Sequence, residues 1–169
     1  MVIVVLAIFV TGIYHMFILR VPYVPTPEKL ATEMVRLAGL GAADTVYDLG
    51  AGDGRILLAA KRAQPGIRAV AVELAPTVWL LGLARTWLAR QRIEWRMRSV
   101  LSVDLRDADV VFVYLLPSLM AKLKTKFDAE LRKGTRVVSH AFRFRDLTPS
   151  QEVTVPWGRR SKTLLLYEW

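Results

Sequence analysis

The residues best suited to chemistry lie in one stretch, positions 46–55. Its sequence is Val-Tyr-Asp-Leu-Gly-Ala-Gly-Asp-Gly-Arg, so that Asp48 precedes three alternating glycines, Gly50, Gly52 and Gly54. Glycines let the backbone approach a ligand closely, and a carboxylate beside them attracts a cation and repels phosphate. The stretch therefore predicts a binding loop for a ligand that carries positive charge.

The spacing of the glycines separates two classes of cofactor. A dinucleotide-binding loop, G-x-G-x-x-G, would need glycine at position 55, where this chain has Arg55. S-adenosylmethionine fits better, because its methionine moiety carries an ammonium group and its sulfonium is also positive. Glu73 follows Gly54 by nineteen residues, at the end of the second predicted strand. A carboxylate there can accept hydrogen bonds from both hydroxyls of a ribose.

Alternating strand and helix patterns place these residues. Apolar strand patterns occupy positions 45–49, 69–72, 93–98, 110–115 and 136–140. The first predicted helix has Thr26 as its N-cap and ends at Gly39; the others cover 55–63, 76–90 and 117–132. Such repeated β-α-β units predict a parallel sheet with helices on both faces, and ligands bind such sheets at the carboxyl ends of the strands.

The last part of the chain breaks this alternation. Strand patterns at 152–155 and 162–167 are joined by six residues, which leave no room for a helix. They therefore predict an antiparallel hairpin at the edge of the sheet. The predicted fold is α/β: a Rossmann-like, doubly wound, mostly parallel seven-stranded sheet with a C-terminal antiparallel hairpin, preceded by one N-terminal transmembrane helix.

That transmembrane helix is predicted from positions 1–19, which contain no Asp, Glu, Lys or Arg. As a helix they would be about 28 Å long, close to the thickness of a bilayer's hydrocarbon core. Arg20 directly after them favours a single-pass membrane protein with its domain on the cytoplasmic side. The predicted organisation is an anchor at 1–19, a connector and substrate loop at 20–27, and one folded domain at 28–169.

The composition limits the chemistry further. The 169 residues include no cysteine, which excludes disulfides, thiolate metal sites and a thiol nucleophile, and no metal site is predicted. The net charge of +9 on its own would suit nucleic acid. For a domain tethered beside anionic lipid headgroups, however, the basic residues are better explained by the membrane, so a nucleic-acid partner is not expected. The oligomeric state is not predicted.

The chain resembles the class I S-adenosylmethionine-dependent methyltransferases and, within them, the small protein-lysine methyltransferases. The segments that carry the resemblance are 22–27 (Pro-Tyr-Val-Pro-Thr-Pro), 46–56, 115–118 (Leu-Leu-Pro-Ser) and 134–140 (Gly-Thr-Arg-Val-Val-Ser-His). The resemblance implies three groups of cofactor contacts, to the methionine part, the ribose and the adenine. They are Asp48, Gly50, Gly52 and Gly54 for the first, Glu73 for the second, and Ser99 with Val100 for the third.

Four residues are candidates for positioning the methyl acceptor. They are Tyr23 and Thr26 before the first helix, Tyr114 after the fourth strand and His140 at the end of the fifth. Three of them have a structural alternative: Thr26 as a helix cap, Tyr114 as a half-buried strand residue, His140 as a hydrogen-bonded core histidine. No dedicated base is required for a lysine acceptor, because desolvation and a nearby sulfonium both lower the pKa of an amine.

The predicted activity is methyl transfer to lysine side chains of membrane or membrane-proximal proteins. Tyr-Leu-Leu-Pro at 114–117 replaces the Asn/Asp-Pro-Pro-aromatic motif of enzymes that methylate amides or adenine, which argues against those acceptors. Two alternatives stay open. One is a small or lipid-soluble acceptor, such as a quinone or a phospholipid headgroup, and the other is a protein that binds S-adenosylmethionine without catalysis.

Overall fold

The computed structural model describes residues 24–158 and 160–169. Its helices are α1 (Glu28–Ala38), α2 (Arg55–Ala63), α3 (Pro76–Leu88) and α4 (Pro117–Glu130). Its strands are β1 (Thr45–Leu49), β2 (Arg68–Val72), β3 (Glu94–Arg96), β4 (Val110–Val113), β5 (Arg136–His140), β6 (Gln151–Trp157) and β7 (Arg160–Glu168).

The strands form one seven-stranded sheet in the order β3-β2-β1-β4-β5-β7-β6. The first five pair in parallel, whereas β7 runs antiparallel to both β5 and β6. The predicted parallel sheet and C-terminal hairpin are confirmed. The direction of the chain reverses at β1, since β2 lies on one side of it and β4 on the other, and such a reversal opens a crevice at the carboxyl ends of the strands.

Alternation along the strands fills a core on each face of the sheet. In β4, Val110 and Phe112 pack into the core that holds α1 and α2, whereas Val111 and Val113 pack into the core that holds α4. All four side chains are fully buried, as expected for a strand covered on both faces. The continuous apolar run that predicted this strand thus reflects burial on both sides.

Several boundaries differ from the sequence-based expectation. Thr26 is not the N-cap of α1: Pro27 is, with an extended ψ of 146° and no side-chain hydrogen bond to the helix. Gly39 ends α1 with a φ of 57°, as predicted. The edge strand β3 shortens to three residues, and β6 and β7 extend beyond their predicted limits because they pair along their whole length.

The structure corrects the membrane localisation predicted from the sequence. A spanning helix needs about 20 apolar residues, and the longest helix among residues 24–158 and 160–169 is α4, with 14. None of the helices in this part of the chain is long and apolar enough to cross a bilayer. The predicted anchor at 1–19 lies outside the described residues, and the single-pass placement is withdrawn.

Candidate active site

A cavity of about 370 Å³ opens at the carboxyl ends of the parallel strands. Segments far apart in sequence contribute to its wall: the chain before α1, the loops after β1 to β5, and the first turn of α4. The residues that line it are Val24, Pro25, Thr26, Asp48, Gly50, Ala51, Gly52, Asp53, Arg55, Ile56, Glu73, Leu74, Ser99, Val100, Tyr114, Leu115, Leu116, Leu119 and Phe142.

The glycine loop forms one side of this cavity. The backbone N–H of Gly50 donates to the carbonyl of Val72 at 2.9 Å, which ties the loop to the end of β2. Gly50 has a φ of 81°, and a Cβ on it would lie 2.8 Å from Cδ2 of Leu115. Because an L side chain fits neither the φ nor the space, glycine is required there. The close approach also brings the glycine loop against the loop after β4.

Glu73 is fixed at the end of β2. Its Oε2 accepts a hydrogen bond from the N–H of Gly52 at 3.0 Å, and its Oε1 accepts one from the N–H of Ala75 at 2.9 Å. Each carboxylate oxygen has a second lone pair. Glu73 can therefore orient the glycine loop and still accept hydrogen bonds from hydroxyl groups in the cavity.

Asp48 is the most perturbed carboxyl of the site. It is 2% exposed, and its Oδ2 has no hydrogen-bond partner among the described residues. Burial raises the pKa of Asp48 to about 8, and the nearby carboxylates of Glu73 and Asp53 add to that rise. A cationic group placed in the cavity would supply the missing partner and favour the ionised form.

Asp53, in contrast, is already paired. Arg55 donates to both of its oxygens, at 2.9 and 2.6 Å, and Nη1 of Arg85 donates to Oδ2 at 2.5 Å. Burial alone would raise the pKa of Asp53, but the hydrogen bonds and charges of these two arginines lower it. The carboxyl groups left to interact with a cationic ligand are therefore those of Asp48 and Glu73.

Tyr114 follows β4 and lies between two other aromatic rings. Its ring centroid is 4.0 Å from that of His140 and 6.3 Å from that of Phe142. Phe142 reaches the cavity through a tight turn in which its N–H donates to the carbonyl of His140 at 2.9 Å and Ala141 has a φ of 69°. This is the geometry of a γ-turn, which is strained for alanine.

His140 lies behind Tyr114 and does not line the cavity. It is 1% exposed, and neither ring nitrogen has a hydrogen-bond partner among the residues that the structure describes. Burial lowers the pKa of His140 to about 4, with a smaller effect from the charge of Lys162. The imidazole is therefore neutral near pH 7, and it contacts the ring of Tyr114, which lines the cavity.

The structure brings together most of the residues singled out from the sequence. The following line the cavity: Asp48, Gly50, Gly52, Glu73, Ser99, Val100, Thr26 and Tyr114. Gly54 is instead the N-cap of α2, with a φ of 77°, and Tyr23 lies outside the described residues. Sequence reasoning missed Leu116, Leu119 and Phe142, and only the apolar run 115–116 gave any signal for this wall.

Residues 48–151 match the family model described as the ANTKMT methyltransferase domain. A protein-lysine N-methyltransferase of Saccharolobus islandicus is 37% identical over 155 residues, which are 89% of this chain and 95% of that protein. The adenine nucleotide translocase lysine N-methyltransferase of Mus musculus is 41% identical over 129 residues, 73% of this chain. The match covers only 54% of that mouse enzyme, so this chain corresponds to about half of its length.

A solved structure is similar to this chain in both sequence and fold. The RNA methyltransferase of Salinibacter ruber, in complex with S-adenosyl-L-homocysteine, superposes with a TM-score of 0.78 at 34% identity. The match covers 86% of this chain and 93% of that one. The fold is that of an S-adenosylmethionine-dependent methyltransferase. More narrowly, the chain belongs to the ANTKMT methyltransferase domain family.

S-adenosylmethionine fits the residues of the cavity. The buried oxygen of Asp48, which has no hydrogen-bond partner within residues 24–158 and 160–169, suits an ammonium group, and the anchored carboxylate of Glu73 suits hydroxyl groups. The close packing of Gly50 against Leu115 leaves the backbone of the loop, instead of a side chain, to face the ligand. The cavity therefore offers carboxylates where the cofactor has cationic and hydroxyl groups.

Proposed function

We propose that this enzyme transfers methyl groups to lysine side chains of proteins. The observation that carries the proposal is the contrast between the two walls of one cavity. Its carboxylates come from the glycine loop and the end of β2, whereas the wall contributed by the loops after β4 and β5 and the first turn of α4 is apolar and aromatic, with Leu116, Leu119, Tyr114 and Phe142. Relatives named for lysine N-methylation match most of the chain and agree with it.

The apolar wall suits a lysine because the amine must lose a proton before it reacts. Transfer from water to apolar surroundings disfavours the charged amine and lowers its pKa. His140 adds no positive charge behind Tyr114, and the rings of Tyr114 and Phe142 can pack along the methylene groups of the side chain. The wall thus favours the neutral amine without a dedicated base.

The bound cofactor supplies a methyl group activated by a positively charged sulfur. The lysine nitrogen forms the new bond to the methyl carbon as the carbon–sulfur bond breaks, and the proton of the amine leaves to water. The residues of this chain contribute by positioning and by exclusion of water, which can account for most of the rate of such a displacement. S-adenosylhomocysteine and the methylated lysine are the products.

We assign the site residues by their place in the cavity. Asp48 and the backbone of Gly50 and Gly52 would hold the methionine part of the cofactor, Gly54 would shape their loop, and Glu73 would hold the ribose. Ser99 and Val100 would contact the adenine, the serine through its backbone or its hydroxyl, which accepts from the N–H of Leu101 at 3.3 Å and keeps its O–H as a donor. Thr26 and Tyr114 would contact the acceptor.

The membrane-protein acceptors expected from the sequence rested on the predicted anchor, so the proposal names lysines of proteins without that restriction. A small or lipid-soluble acceptor would use the same apolar wall. RNA, the substrate class for which the Salinibacter enzyme is named, would use the basic surface that the net charge of +9 provides. A protein that binds S-adenosylmethionine without catalysis would need only the part of the cavity around the glycine loop and Glu73.

The experiment is a labelling assay with methyl-radiolabelled S-adenosylmethionine and total cell extract. Label is expected in the protein fraction, on residues that mass spectrometry identifies as methyllysine. Asp48→Asn, which keeps the shape but removes the carboxylate charge, serves as the inactive control. Label only in the lipid or the RNA fraction would overturn the lysine proposal, and no label with intact cofactor binding would favour the non-catalytic alternative.

A further inference from the structure

Arg55 links two segments that line the cavity, the glycine loop and the chain before α1. It is the first residue of α2 and lies at the position where a dinucleotide-binding loop has glycine. Its Nε and Nη2 donate to the two carboxylate oxygens of Asp53, in the glycine loop, at 2.9 and 2.6 Å. Its Nη1 donates to the backbone carbonyl of Thr26, in the part of the cavity wall formed by the chain before α1, at 2.8 Å.

The contact with Thr26 holds the main chain just before α1. Positions 25 and 27 are prolines, which have no N–H to donate, and the side chain of Thr26 does not cap α1. Val24, Pro25 and Thr26 nevertheless all line the cavity. A main-chain carbonyl held by a largely buried guanidinium, 20% exposed, therefore positions this part of the wall.

Arg85 offers a natural comparison. It also donates to Asp53, at 2.5 Å, and is likewise partly buried. Its second contact, however, is with the side chain of Glu28 on α1, at 3.1 Å, and not with the chain that lines the cavity. Both arginines thus balance the charge of Asp53, but only the hydrogen bonds of Arg55 join the glycine loop to residues 24–26.

We propose that Arg55 is a positioning residue that couples the cofactor loop to the acceptor wall. When the cofactor binds the glycine loop, Asp53 and Arg55 become fixed with it, and the carbonyl of Thr26 is held in place through the same guanidinium. Cofactor binding thereby orders residues 24–26 for the acceptor. The designation of that wall as the acceptor wall rests on the proposed function; the coupling of the two segments does not.

The chemistry of the side chain explains why arginine is needed. A guanidinium presents five donors in a rigid plane, so that one face can grip a carboxylate while another nitrogen reaches a carbonyl. A lysine at this position would keep the charge but bind Asp53 through a single point. Arg55→Lys therefore separates the coupling from the charge balance, and Arg85→Lys is the matched control.

The coupling can be measured by hydrogen–deuterium exchange with and without S-adenosylhomocysteine. In the wild type, the ligand is expected to slow exchange both in the glycine loop, 50–56, and in the peptide 24–34. In Arg55→Lys, protection of 50–56 should persist while protection of 24–34 falls about fivefold or more, the scale of a typical coupling free energy. Arg85→Lys should retain protection of both segments.

Two further measurements keep the outcomes distinct. Calorimetry should show that both variants bind S-adenosylhomocysteine within about threefold of the wild type, which confirms that their sites are folded. With protein extract as acceptor, kcat/KM should fall about 10- to 100-fold in Arg55→Lys alone, since a misplacement near 1 Å can cost that much. Protection of 24–34 that survives in Arg55→Lys, or is lost equally in Arg85→Lys, would overturn the proposal.

A failure of the proposed function would look different. In that case, the wild type would place no label on protein lysines, while the exchange pattern of the two segments would still separate Arg55→Lys from Arg85→Lys. Conversely, lysine methylation with identical behaviour of the two variants would retain the proposed function and remove the role of Arg55.

Discussion

The two halves of the cavity are built in different ways. The half around the glycine loop is polar. Its carboxylates are those of Asp48, the last residue but one of β1, and Glu73, which directly follows β2, and these two strands are neighbours in the sheet. The other half is apolar and aromatic and combines the chain before α1, the loop after β4 and the turn at Ala141. The arrangement of the polar half depends on two neighbouring strands and the glycine motif, whereas the arrangement of the apolar half depends on packing of segments from the whole fold.

The two halves meet the different requirements of the cofactor and of the acceptor. A cationic cofactor needs fixed charges, and a short loop between a strand and a helix can supply them in a constant arrangement. An acceptor needs a dry surface of the right shape, which only packing of distant segments can provide. Variants in one half should therefore affect one ligand and leave the other nearly unchanged.

The largest expected effect is on the cofactor. Asp48→Asn keeps the size of the side chain but removes the charge that a buried cation requires, so the Kd for S-adenosylhomocysteine should rise roughly 100-fold. Calorimetry measures it, and Asp104→Asn, on the surface, serves as the control. An affinity within about threefold of the wild type would show that Asp48 does not hold the cofactor.

The pH dependence of cofactor binding is a second test of whether Asp48 holds the cofactor. Because burial raises the pKa of Asp48 to about 8 in the free protein, binding of a cation below that pH must release a proton. Affinity for S-adenosylhomocysteine should therefore rise from pH 6 to pH 8, by up to about tenfold per pH unit. Calorimetry in buffers of different ionisation enthalpy measures the proton release.

The control for this dependence is Asp48→Asn, in which both the rise and the proton release should disappear. A flat profile in the wild type would mean that Asp48 is already ionised without a ligand, so that its burial does not raise its pKa as the structure indicates.

A smaller effect is expected in the acceptor half. Phe142→Ala removes the ring that packs near Tyr114, so KM for the protein acceptor should rise about tenfold as apolar contact is lost. The Kd for S-adenosylhomocysteine should stay within about twofold. Phe142→Leu, which keeps an apolar side chain, should give an intermediate KM; equal loss of cofactor binding in both variants would contradict the separation of the halves.

The smallest effect concerns stability in acid. An unfolded histidine gains a proton below its ordinary pKa of 6.5, whereas buried His140 stays neutral down to about pH 4. Acid therefore favours the unfolded chain, and this contribution to the free energy of unfolding is lost progressively as the pH falls from 6.5 towards 4.

His140→Phe keeps an aromatic ring beside Tyr114 and removes the titration. Between pH 7 and pH 5, its free energy of unfolding should fall by about 1–2 kcal/mol less than that of the wild type. Urea unfolding at the two pH values measures this difference. The same fall in both proteins would show that the imidazole is not kept neutral by its burial.

The sequence predicted the cofactor half better than the acceptor half. Asp48, Gly50 and Gly52 stand in one local pattern whose spacing has a direct structural meaning, and all three line the cavity. Phe142 could not be predicted, because it follows the fifth strand by two residues and reaches the cavity only through the strained turn at Ala141. His140 was a candidate for positioning the acceptor, with a core histidine as the alternative, and the structure buries it against Tyr114 without a place in the cavity lining.

Arg55 illustrates the boundary between the two kinds of information. Its identity alone was enough to argue against a dinucleotide-binding loop, since that loop requires glycine at the same position. Its hydrogen bond to the carbonyl of Thr26, 29 residues earlier in the chain, has no signature in the sequence. A backbone acceptor is the same for every residue type, so only the three-dimensional structure could identify it.

The sequence by itself determined the order of strands and helices, the glycine loop and the negative charge beside it, because these depend on spacing between near neighbours. The tertiary structure alone decided the raised pKa of Asp48, the neutral state of His140 and the composition of the apolar wall. Burial and the proximity of charges arise from segments far apart in the chain, and they exist only once the sheet has brought those segments together.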